Sequence, residues 1–224
     1  MQQPTPLPEA RGIVARIAAE LAAPSFPRGD LAALRRMNPD APGRTPVLLR
    51  MVARHASDRL EYGADELVRW ALVLHGMALM APGHHHRVQV PVGRSLYGPG
   101  REPLYAESRL ARLLSARGPA FRAQVPRLAR QLKARDQALD WREFADLILA
   151  EGRDEAGAEQ ARERIAQAYY RAEAAAKKTK PEPMKDAKPR PLRDSYRSTS
   201  SPAIRRRCSI ATMPASPSAC RSAA

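Results

Sequence analysis

The chain has 224 residues, with 38 Lys and Arg against 23 Asp and Glu, and its formal charge of +15 favours phosphate-bearing partners. Aromatic residues make up only 5%, too few for a nucleic-acid stacking platform, so Leu, Ala, Val, Ile and Met must fill the core. The two cysteines, Cys208 and Cys220, have neither CxxC spacing nor nearby histidines, which excludes a disulfide framework and a cysteine zinc site.

Hydrophobic periodicity divides the chain into a short arm over residues 1–8, a helical body over 9–178 and a tail over 179–224. The opening MQQPTPLPEARG lacks a basic stretch followed by an apolar run, so no secretory signal is expected. The first helix is predicted over residues 9–23, with Ile13, Ile17 and Leu21 facing inward. Asp30 is placed to cap a second helix, LAALRRM, which buries Leu31, Leu34 and Met37 and ends at Asn38-Pro39. Thr45-Pro46 reads as the cap and first residue of a third helix, VLLRMVARH. A fourth helix begins near Asp65, includes Trp70, Leu74 and Met77, and breaks at Pro82-Gly83. Its apolar stretch, residues 67–81, contains Arg69 and His75 and is too short to span a bilayer, so a cytoplasmic location with no membrane partner is expected.

His84, His85 and His86 then occupy an expected solvent loop. Adjacent loop residues cannot all point at one ion, so no metal site is expected there. His75, inside an apolar helix, reads as a hydrogen-bonded core residue. A short helix over 92–97 leads through Gly98-Pro99-Gly100, where the isolated glycines, Gly93 among them, read as loop punctuation.

Residues 107–141, ESRLARLLSARGPAFRAQVPRLARQLKARDQALDW, carry the strongest functional signal. Leu110, Leu113 and Leu114, then Phe121, Val125, Leu128 and Leu132, recur at three- and four-residue steps on one stripe of each helix. At roughly 100° per residue, Arg122, Arg130 and Lys133 fall on an arc away from the second stripe. Arg109, Arg112 and Arg117 add cations to the preceding helix. Pro119 fits the first turn, and Pro126 should kink the helix it sits in. Asp140 and Glu143 resemble a capping box for the next helix, which buries Trp141, Phe144, Leu147 and Ile148. A last helix over 154–176 carries acids first and Lys177-Lys178 last, with Ile165 and Tyr169 inward. From Lys177 onward there are twelve basic residues against three acids, and the tail over 179–224, with seven prolines, is expected to be disordered.

These elements define an all-α class, a single helical bundle with a basic tail. Nothing in them supports catalysis: GxSxG, a Walker loop and HExxH are all missing, so neither enzyme activity nor a cofactor is expected. Arg35, Arg36, Arg94, Arg109, Arg112, Arg117, Arg122, Arg130 and Lys133 remain as candidate nucleic-acid contacts. Phosphate binding needs cations on rigid supports and no base-edge chemistry, which helix-borne arginines supply. The same residues also fit an ordinary solvated helix face.

The order of segments resembles the CasB family, the small subunit of the type I-E CRISPR Cascade complex. The resemblance rests on Gly93-Arg94-Ser95-Leu96, the run from Glu107 to Leu114, Asp140-Trp141, Tyr169-Tyr170 and the early RGDLAALRRMNPD, and covers about residues 9–176. It implies a non-catalytic helical subunit that works with CRISPR RNA, target DNA, other Cascade subunits and a second copy of itself. It also implies that the subunit helps hold the guide–target hybrid and the displaced strand. Sequence recognition in such complexes belongs to base pairing, which leaves the protein to read backbone alone. Two other readings stay open: a freestanding DNA-binding regulator of helix-turn-helix type, and a structural helical module that binds an acidic protein.

Overall fold

The computed structural model describes residues 7–56, 63–82 and 86–178. His84, His85 and the tail over 179–224 lie outside the described residues, as does most of the N-terminal arm. The described part contains nine α-helices: α1 (Leu7–Ala22), α2 (Arg28–Arg36), α3 (Pro46–His55), α4 (Ala64–Met80), α5 (Val92–Tyr97), α6 (Glu107–Ser115), α7 (Gly118–Ala134), α8 (Trp141–Ala150) and α9 (Glu155–Lys178). The expected all-α class holds over these residues, and no helix among them is long and apolar enough to cross a membrane.

Helix α4 is the axis of the bundle. Every residue from Trp70 to Ala78 is buried, which leaves the helix apolar all round, and α1, α2, α3, α7 and α8 pack on it. Gly76 lets α8 approach, since a Cβ there would lie 2.5 Å from the Trp141 ring. His75 is a core residue as expected. Its Nδ1 lies 2.8 Å from the Leu34 carbonyl, and burial chiefly pushes its pKa down. α8 bridges to α1 on one side and to α9 on the other. Arg11 of α1 clamps the buried Asp146 of α8 through two nitrogens, and Arg164 of α9 approaches the same carboxylate at 3.5 Å.

α5 and α9 meet backbone to backbone. Gly93 lies inside α5, not in a loop as its isolation in the sequence implied. A Cβ there would sit 2.0 Å from the Ile165 carbonyl oxygen and 2.5 Å from the Tyr169 nitrogen. Tyr97 and Tyr169 close this contact edge to face, with ring centroids 5.5 Å apart.

Several local expectations change. Asp30 does not cap α2: the helix starts three residues earlier, after Pro27, and Asp30 pairs instead with Arg50 at 2.8 Å. Pro126 removes one donor from α7, yet the helix runs on to Ala134. Residues 88 and 89 form a turn, with Gln89 at φ 67°. His86 is no solvent loop residue. It pairs with Leu139 in an isolated bridge, and its Nδ1 accepts from the Trp141 backbone N–H at 3.1 Å, helping to cap α8.

The capping box is only half formed. Asp140 caps α8 by accepting from the Arg142 N–H at 3.0 Å. Glu143 does not reach back to Asp140. It accepts from the Val92 N–H at 2.7 Å and thereby serves the start of α5. The sequence pattern was right about the residues and wrong about the donor, because a neighbouring helix supplied a closer one.

Candidate nucleic-acid interface

The stripes predicted on α6 and α7 face the core. Leu110, Leu113, Phe121, Val125, Leu128 and Leu132 are buried, and Leu114 is half-buried. α6 and α7 use different supports: α7 lies along α4, while α6 rests on α9. Their outer faces are joined by Arg109, whose guanidinium donates to Gln131 across 3.5 Å.

The nine predicted cations divide according to what already holds them. Arg35 is half-buried and structural: its Nε donates to the Ala78 carbonyl at 2.8 Å and its terminal nitrogen to that of Ala81. It thus satisfies carbonyls left open at the end of α4. Lys133 approaches the same end, donating to the Pro82 carbonyl at 2.9 Å. Arg122 pairs with Asp40 at 2.6 Å. Arg117 donates to the Leu114 carbonyl at 2.7 Å and pairs with Glu159 and Glu155, so its charge is locally compensated.

Of the nine, Arg36, Arg94, Arg112 and Arg130 are exposed with neither hydrogen bond nor ion pair among the described residues. Arg127 of α7, which sequence reasoning passed over, is exposed and unpaired in the same way. The signal was present, because Arg127 and Arg130 stand three residues apart and share a helix face.

Three contacts bring part of this set together. The Arg122–Asp40 pair ties the segment after α2 to α7, and Arg35 and Lys133 converge on the carbonyl end of α4. Arg130 is close enough to His75 for its charge to add to the burial that lowers that imidazole. Arg36 is the last residue of α2 and follows Arg35 in the chain. The Arg109–Gln131 contact places α6 beside α7, and the charges of Arg109 and Arg112 offset part of the burial that raises the Tyr105 phenol. Arg94 stands apart, in a cleft between α5 and α9. Among the described residues of α2, α6 and α7, no exposed aromatic side chain is offered to a base. The arrangement is suited to holding a polyanion.

The connection from α2 to α3 spans residues 37–45 and contains Pro39, Pro42 and a 3₁₀ turn at Pro42–Arg44. A DNA-reading helix-turn-helix needs a turn of roughly three to four residues, so this pair does not form one.

A family model described as CRISPR-associated protein Cse2 matches residues 30–170. The chain belongs to the Cse2 family. Membership makes it a subunit of the CRISPR Cascade complex, in agreement with the CasB resemblance, which concerns the same small subunit. No curated protein and no solved structure matches the chain. In this Cse2-family chain most of the residues that carried the resemblance are architectural. Gly93 admits α9, the Ser95 hydroxyl donates to the Ala138 carbonyl at 2.6 Å, Trp141 fills the core, and the Tyr169 hydroxyl donates to the Tyr105 carbonyl at 2.8 Å. Arg36, Arg94 and Arg112 among them are exposed without a partner among the described residues.

Proposed function

We propose that this Cse2-family chain is a non-catalytic, nucleic-acid-holding subunit of Cascade. It binds the backbone of the guide RNA–target DNA hybrid and of the displaced strand without reading sequence. The observation that supports this reading is a set of exposed arginines on α2, α6 and α7. Arg36, Arg112, Arg127 and Arg130 stand on rigid helices with no partner among the described residues, flanked by Arg109 and Lys133. Charged groups that structure does not use, spaced along helices, are what a phosphate track requires. The four compensated or capping groups, Arg35, Arg117, Arg122 and Lys133, position those helices and contribute less to binding. CRISPR RNA, target DNA, other Cascade subunits and a second copy of the chain are the partners in this reading, and the cytoplasm is its place of action.

The test is a mobility-shift series with two unrelated duplexes and two unrelated single strands over about 50–300 mM salt. Four phosphate contacts predict a log–log slope of roughly −3 to −4, equal for both sequences. Tight, salt-insensitive binding to one duplex alone would overturn the reading.

A further inference from the structure

One concavity among the described residues is lined by no residue of α2, α6 or α7. It is a cleft of about 900 Å³ between α5 with its following turn and the C-terminal half of α9. Arg87, Arg94 and Arg171 stand around it, and no Asp or Glu lines it. Arg171 has only a 3.5 Å contact to Gln167, and Glu173 is already engaged by Lys177 at 2.8 Å. Three positive charges thus surround a recess that holds no counter-charge of its own, and a concave wall concentrates their potential.

The floor has the opposite character. Ala168, Ala172, Ala175 and Ala176 of α9 face Val90, Pro91 and Pro99 across the cleft, and the methyl side chains keep it open. Tyr97 lines it but is 2% exposed, with its hydroxyl donating to the Arg101 carbonyl, so it presents no face on which a base can stack. A sugar–phosphate strand would meet the arginines and leave this apolar floor unsatisfied. A polypeptide carrying both carboxylates and small apolar side chains satisfies both.

We propose that the α5–α9 cleft receives an acidic polypeptide segment, with small apolar side chains between its carboxylates, from a neighbouring protein subunit of the assembled complex. Arg87, Arg94 and Arg171 take the carboxylates at the rim, where guanidinium and carboxylate geometries match. The alanine floor takes the side chains between them. The chain then has two sets of exposed arginines with different duties: those of α2, α6 and α7 for phosphate, and those of the cleft for protein. Arg94 belongs to the second.

The experiment reconstitutes the complex from its other subunits and CRISPR RNA, with limiting amounts of this chain, and measures incorporation by size-exclusion chromatography. Two variants alter the cleft by different means: Arg94→Glu with Arg171→Glu inverts the rim, and Ala176→Trp fills the floor. Melting curves confirm that both are folded. A free-chain titration with a labelled oligothymidylate strand reports nucleic-acid binding separately. Incorporation at least tenfold weaker in both variants, with the oligothymidylate salt slope unchanged, is the expected result. Wild-type incorporation of both variants overturns the proposal. So does a charge variant that incorporates normally but loses oligothymidylate binding, because the cleft would then hold a strand.

Discussion

Replacing Gly93 with alanine sets two opposed effects against each other, and the sign of the outcome decides between them. Within a helix, alanine is favoured over glycine by about 0.8–1 kcal/mol, so an unobstructed α5 would gain stability. The added Cβ would instead lie 2.0 Å from the Ile165 carbonyl oxygen and 2.5 Å from the Tyr169 nitrogen, where ordinary contact begins at 3.4 Å. Both obstacles are α9 backbone and cannot rotate aside, so α5 must retreat by more than an ångström. That movement pulls Tyr97 from Tyr169 and strains the Ser95–Ala138 hydrogen bond. Overpacking of this kind costs about 1–3 kcal/mol, and the weakened contacts add to it. A net loss of about 2–3 kcal/mol follows, which for a domain of this size lowers Tm by roughly 4–12 °C. Thermal melts followed by circular dichroism measure it, with Gly12→Ala as control. The nearest atom to a Cβ at Gly12 is 3.7 Å away on the flexible Arg16 side chain, so that variant should gain stability. An unchanged or raised Tm for Gly93→Ala would refute the close approach of α5 and α9.

The arginines should separate into two classes on melting. Arg35→Ala strips two carbonyls at the end of α4 of their donor and should cost about 1–2 kcal/mol, discounted for partial exposure, whereas Arg130→Ala should stay within about 0.5 kcal/mol. Equal melts for the two variants would contradict that division. Burial lowers the pKa of both His75 and His86 from the ordinary 6.5, so the unfolded chain takes up protons first. Their contribution is present above about pH 6.5 and is lost as pH falls from there through the lower folded pKa values. Glu143 opposes them, because burial raises its carboxyl above 4.5 and favours the folded form as pH falls. A His75→Gln variant should therefore lose less stability than wild type between about pH 7 and pH 5; parallel pH curves for the two would show that His75 does not titrate on unfolding.

Helices with a clear apolar stripe were legible in the sequence. Phe121, Val125, Leu128 and Leu132 announced α7, and Trp141, Phe144, Leu147 and Ile148 announced α8, because burial of a face leaves a 3.6-residue imprint. Contacts between elements distant in the chain left no such imprint. Gly93 looked like any loop glycine because the atoms that forbid its side chain belong to residues about 72–76 positions later. Glu143 and His86 cap helices whose donors only the fold brings near. The candidate site shows the same division. Charge density and helical spacing located the basic helices, but not which cations the protein had already engaged. Arg35 and Arg36 are adjacent in sequence, yet one closes the end of α4 and the other is exposed. Arg87, Arg94 and Arg171 belong to three separate segments and come together only when α5 packs on α9.

The central claim is that the unpaired arginines of α7 and its neighbours hold nucleic-acid backbone. The most direct measurement is a target-DNA titration of the reconstituted complex over several salt concentrations, with wild-type chain or with Arg127→Glu plus Arg130→Glu. Neither residue supports the fold, so the variant should melt and assemble like wild type. If each contacts one phosphate, the log–log salt slope should flatten by about 1.4–1.8 units and binding should weaken most at low salt. A variant that assembles normally and holds target DNA with the wild-type slope and affinity at every salt concentration would contradict the claim.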